Sequence, residues 1–195
     1  MDNNYNDHNL FVLGDIREAD KRAVAVVGSR EMSDRGRKLT EEYSRELVKN
    51  GITVVSGMAR GIDTIAHKTA IENGGRTIAV LGSGIDVIYP PDNENLYYEI
   101  IKNGAVVSGF PNGTKPLPQN FLARNQIIVK LSLAVLVIEG KRRSGTISTA
   151  NHAANEGVEV FAIPGSEACD YLIENGSSIA TTPQDVIQYL NRLDI

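Results

Sequence analysis

Cations beside glycine turns are the residue pattern in this sequence most able to do chemistry, because such turns can hold an anion against free backbone N–H groups. "VAVVGSR" places Ser29 and Arg30 directly after Gly28, and "VVSGMARG" places Arg60 three residues after Gly57. "VLGSG" ends an apolar run on Gly82, and "IEGKRRSGT" sets Lys141, Arg142 and Arg143 ahead of Ser144, Gly145 and Thr146. Each glycine alone equally suits a plain turn between a strand and a helix. Four at successive strand ends favour an anion site, since glycine lets backbone and ligand approach closely and helix N-termini attract negative charge. Arg60 alone also suits a plain surface charge, and the Lys141–Arg143 run a solvated loop.

Other chemistries find less support. No Walker motif occurs, and "GSGIDV" lacks the third glycine of a dinucleotide fingerprint. Ser29, Ser83 and Ser144 have no His/Asp partner set for a hydrolytic triad. Asp63 and His67, four residues apart, suit a structural pair on one helix face. The single cysteine, Cys169, excludes an internal disulfide and a cysteine metal cluster. No metal or cofactor site is expected.

The elements that must position these residues alternate along the chain. Short Val/Ile-rich runs predict strands at Ala23–Val27, 52–56, Thr77–Leu81, 105–107, 134–138 and 159–163, with a weaker one near Ile179. They are apolar on both faces, as buried parallel strands are. Helical periods separate them: Leu39, Tyr43 and Leu47, stopped at Asn50-Gly51; Ile62, Ile65, Ala66 and Ala70, stopped at Asn73-Gly74. Further helices are expected within 92–102, within 121–131 after an Asn120 cap, and from Ser144. A last one opens at "TPQD", with Thr182 as cap and Pro183 at the first helical position. Repeated βα units imply an α/β fold, a doubly wound, mostly parallel, Rossmann-like sheet with helices on both faces. Residues 1–9 read as a loose polar tail, and 10–195 as one domain.

The net charge of −4 argues against a uniformly basic nucleic-acid surface. Distribution matters more: cations gather at Arg30, Arg35, Arg37 and Lys38, and again at 141–143. Neither a spanning apolar run nor a signal peptide is legible, so a cytoplasmic protein, free of membrane, is expected.

Five blocks, in order, carry a resemblance: "VAVVGSR", "SGMARGIDTIAH", "TIAVLGSGIDVIYPPDNENLY", "NFLARNQII" and "EGKRRSGTISTANHAANEGVEVFAIPG". Together they resemble the core of the DNA-processing protein A (DprA/Smf) family over about Leu10 to Leu190. The resemblance implies a non-catalytic binder of single-stranded DNA that protects incoming strands and helps load a RecA-type recombinase during transformation. It implies phosphate contact by Arg30, a place at the DNA groove for Phe121, Arg124 and Asn125, and a helix start at Ser144, Gly145 and Thr146. An aromatic ring beside fixed cations suits a single strand, because any base offers a stacking face. Phe121 equally suits the core of its helix.

The family also tends to form homodimers through C-terminal core helices, where Val186, Ile187 and Leu190 could serve or be ordinary core. Gln126 stands where the family usually has a further arginine, and the family's flanking domains are not expected within these 195 residues. The alternative is a nucleotide-binding LOG-like protein, either a phosphoribohydrolase or a non-catalytic sensor. There Ser148 and Thr149 stand in place of the catalytic glutamate.

Overall fold

The computed structural model describes residues 10–193, so the expected tail at 1–9 lies outside the described residues. Eight strands form one sheet in the order β1-β5-β4-β3-β2-β6-β7-β8. They are β1 (Phe11–Gly14), β2 (Ala23–Val27), β3 (Thr53–Ser56), β4 (Thr77–Leu81), β5 (Gly104–Ser108), β6 (Ala134–Val137), β7 (Glu159–Ala162) and β8 (Ser178–Ile179). All neighbours pair in parallel except β1, which runs antiparallel to β5.

Seven α-helices fill the connections: α1 (Asp34–Lys49), α2 (Ile62–Glu72), α3 (Glu94–Asn103), α4 (Pro118–Lys130), α5 (Gly145–Asn155), α6 (Glu167–Glu174) and α7 (Pro183–Asn191). Helices α1, α2, α3 and α7 lie along one face, and α4, α5 and α6 along the other. Strand pleating explains the division. In β2, Ala23, Ala25 and Val27 pack with Ile128, Val129 and Ala153, while Val24 and Val26 pack with Tyr43, Leu47 and Ile62. The Thr182 cap is made as expected: Thr181 and Thr182 donate their N–H groups to Asp185 at 2.8 Å.

Two sequence expectations need correction. Helix α4 begins at Pro118 with Leu117 before it, two residues ahead of Asn120, whose amide instead donates to the Lys115 carbonyl. Asp63 and His67 both serve structure but not each other: Asp63 accepts from Gly57 and Ala59 N–H, and His67 Nδ1 lies 2.6 Å from Thr77 Oγ1. Of the two readings open for Val186, Ile187 and Leu190, the structure favours ordinary core, since all three are buried against the sheet. Strand β1 and helix α6 are additional elements.

Candidate nucleic-acid interface

The chain runs β2, β3, β4, β5 outward in one direction and then returns to place β6 on the other side of β2. That reversal opens a crevice beyond the carboxyl ends of β2 and β6, the place where open α/β sheets bind ligands. A cleft of about 580 Å³ occupies it. The β2–α1 turn contributes Gly28, Ser29 and Arg30, the β6–α5 loop Lys141 and Arg143, and the start of α5 Ser144, Gly145 and Thr146. Helix α4 supplies Phe121, Leu122, Arg124 and Asn125, and the β4–α3 connection supplies Tyr89. A neighbouring cavity of about 250 Å³ shares Arg30, Tyr89 and Phe121 and adds Gly57, Arg60 and Gly82.

The sheet order makes the cleft two-sided. Elements following β2 and β6 bring the exposed cations Arg30, Lys141 and Arg143. Elements following β4 and β5 bring the rings of Tyr89 and Phe121, 5.8 Å apart, with Leu122 55% exposed beside them. The Arg30 guanidinium lies 5.1 Å from the centre of the Phe121 ring and joins the two sides. Glu31 is the exposed acid at the edge, 3.8 Å from Lys141. Of the first basic group in the sequence, only Arg30 reaches the cleft; Arg35 donates to the Pro164 carbonyl instead.

Two predicted cations stand differently. Arg142 lies outside both cavities, its guanidinium 4.6 Å from the centre of the Tyr171 ring. Arg60 is bound to Asp92 through Nε and Nη2, at 3.0 and 2.7 Å.

Arg124 is 4% exposed and forms the floor. Its Nη1 donates to the carbonyls of Gly57 and Val80 at the ends of β3 and β4, and its Nε donates to Asn125 Oδ1. Burial pulls its pKa down to about 10, against the attraction of Asp63. Burial raises the Asp63 carboxyl in turn, and the Arg124 charge and the two N–H donors offset only part of that rise. His67, buried behind them, is driven down to about 3 by burial and then by Arg124, so it is neutral near pH 7.

The glycines serve packing more than ligand approach. A Cβ on Gly57 would sit 2.0 Å from Arg124 Nη1, and one on Gly82 2.7 Å from the Phe121 ring. A Cβ on Gly28 would meet Ile62 at 2.7 Å. Gly145 alone of the four sequence-predicted site glycines turns toward open space, at the first position of α5.

The sequence reading missed Glu139. It lies two residues past the end of β6 and accepts from Ser33 N at 2.7 Å and Ser33 Oγ at 2.6 Å, while Ser33 Oγ accepts from Gly36 N. The positive end of α1 is therefore occupied by the protein's own carboxylate. At α5 the Ser144 hydroxyl turns back to the Lys141 carbonyl and does not cap the first N–H groups. The position of Glu139 directly before "GKRRSG" was the available signal, and nothing in that pattern told a capping acid from an ordinary one.

Among the described residues no group of three or more His, Cys, Asp or Glu side chains could hold a metal ion. No helix among them is long and apolar enough to cross a membrane.

The class defined by this fold is a Rossmann-like α/β protein with a cationic, aromatic-sided cleft at its switch point. The family model of DNA recombination-mediator protein A matches residues 4–191. The chain belongs to that family, the DprA/Smf proteins. It is 44% identical over 184 residues to DNA processing protein DprA of Streptococcus pneumoniae, covering 91% of this chain and 65% of the relative's length. The X-ray structure of the DprA from that organism superimposes with a TM-score of 0.87 over 92% of this chain and 65% of the other.

A structure concerned with the single-stranded DNA binding mode of DNA processing protein A from Helicobacter pylori is 31% identical, with a TM-score of 0.86. It covers 94% of this chain and 86% of that one. A molybdenum cofactor binding protein from Rippkaea orientalis, 19% identical at a TM-score of 0.66, covering 89% of this chain and 97% of that one, shares the fold.

Proposed function

We propose that this chain binds single-stranded DNA in the cleft, as a binding protein rather than an enzyme. The observation that carries the reading is the two-sided lining. Arg30, Lys141, Arg143 and the uncapped α5 N-terminus face phosphates, while Tyr89, Phe121 and Leu122 offer apolar faces to bases. Such contacts need bases free to leave the stack and present a face, as in a single strand, and are largely blind to sequence. The H. pylori relative, studied for its single-stranded DNA binding, supports the same ligand.

We infer also that the bound strand is protected and handed to a RecA-type recombinase during transformation, with the protein acting as a homodimer in the cytoplasm. With the apolar side of α7 turned inward, pairing at the C-terminal end would use α6 and the β8 edge, where Ile179 is 51% exposed.

Fluorescence anisotropy with an oligothymidylate and a duplex of equal length tests the ligand. Preference for the single strand is the expected result; equal binding, or none at low salt, would overturn it. The nucleotide-hydrolase alternative predicts adenine release from AMP. Thr149, at the position of the expected glutamate, is buried with its hydroxyl bonded to the Gly145 carbonyl, and offers no carboxylate.

A further inference from the structure

A second groove, of about 510 Å³, runs along the outer side of α5 and shares Arg143 and Ser144 with the cleft. We infer that it carries the single strand onward after it leaves the cleft, so that the binding path turns around the α5 N-terminus and continues toward Asn155. This rests on the proposed binding of single-stranded DNA.

Ser144, Ser148, Asn151 and Asn155 recur at helical spacing and form one polar stripe, with His152 beside it. No carboxylate among the described residues lines this groove, in a chain of net charge −4. Two acids at its margins are engaged: Glu156 lies 3.9 Å from His152, and Glu167 accepts from the Arg142 N–H.

Arg142, which the cleft leaves out, finds its place here. Its guanidinium rests on the Tyr171 ring, which holds the charge in position at the groove while leaving its N–H groups to a phosphate. Asn151 and Asn155 are exposed and carry amide donors and acceptors suited to phosphate oxygens or base edges. The groove is continuous with the cleft and complementary in charge to a polyanion. The eleven residues of α5 span about 16 Å. At ~3.4 Å per stacked nucleotide, roughly five nucleotides fit along it, and fewer when the strand is stretched.

The test is a graded series of labelled oligothymidylates, measured by anisotropy with the wild type and with a chain carrying Asn151→Glu and Asn155→Glu. Both positions are exposed on a helix, and thermal melts verify the fold of the variant. The shortest oligonucleotide that binds fills only the cleft and should bind both proteins alike. Longer ones should gain affinity with length in the wild type, and lose about tenfold in the variant. Asn151→Lys with Asn155→Lys should act in the opposite direction, strengthening long strands only and steepening their salt dependence.

Equal loss on short and long strands, or no loss on long ones, would overturn the path along α5 while leaving the cleft reading standing. That second outcome is the one expected if the groove instead serves a protein partner. A wild type that binds no oligonucleotide of any length would overturn both.

Discussion

Replacing Arg124 with methionine should expose how the floor of the cleft is held. Methionine keeps much of the volume but removes a buried cation that holds the ends of β3 and β4 through the Gly57 and Val80 carbonyls. It also leaves Asp63 buried without its compensating charge. Breaking a buried charge pair by deleting one partner costs about 3–5 kcal/mol. In a domain of this size that is a fall in melting temperature of roughly 6–20 °C.

The pH dependence adds a second signature. Burial already raises the Asp63 carboxyl above its ordinary 3.8, and Arg124 restrains that rise. A group with a raised folded pKa contributes its stability fully below the unfolded value and loses it as pH climbs through the folded value. Without Arg124 the folded value rises further, so the gap between variant and wild type should open above the wild-type folded value and widen as pH climbs toward the higher value of the variant. Adding Asp63→Asn should close most of the gap at pH 8, because the amide oxygen can still accept from Gly57 and Ala59. Calorimetric melts at several pH values measure all three proteins. A methionine variant that melts with the wild type at every pH, or that Asp63→Asn does not rescue, refutes the charge argument.

Further outcomes follow from the same contacts. Phe121→Ala should weaken oligothymidylate binding by about 1–3 kcal/mol while hardly changing its salt slope, since a stacking face and not a charge is lost. Gly82→Ala should move in the same direction with the ring retained, because the added Cβ would lie 2.7 Å from Phe121; titrations of both variants check this. Asp20, fully buried under Arg76, is pushed up by burial but held below the ordinary carboxylate range by bonds from Arg76, the Arg17 N–H and Thr53. Its contribution is present above about pH 4 and lost as pH falls through the lower folded value, so an acid titration of Asp20→Asn should show a shallower acid limb than the wild type.

Strands β2 and β6, which flank the site, were legible because they are buried on both faces and written in unbroken Val, Ala and Leu. Strand β1 was not: Phe11, Val12 and Leu13 are each about 40% exposed on an edge, and four residues show no period to read. Helix α6 was hidden by its length of eight residues, although Ser166 caps it and Ala168, Cys169 and Leu172 turn inward. Arg30 and the α5 start could be placed from strand ends alone, because the topology carries such residues to one edge.

The glycines misled in their physical reason. At Gly57 and Gly82 the free space is filled by Arg124 and Phe121, side chains from a helix many residues away. Which cations face the cleft also depends on distant partners. Arg142 is drawn out by Tyr171, and Arg60 is bound to Asp92, neither of which local sequence discloses.

The cleft as a phosphate-binding groove is tested most directly by the salt dependence of oligothymidylate binding for the wild type and Arg30→Ala. Between about 50 and 200 mM salt, the affinity of the wild type should fall steeply, and the substitution should reduce the slope of log K against log salt by about 0.7. A flat dependence in the wild type, or an Arg30→Ala protein with unchanged affinity and slope, would contradict it.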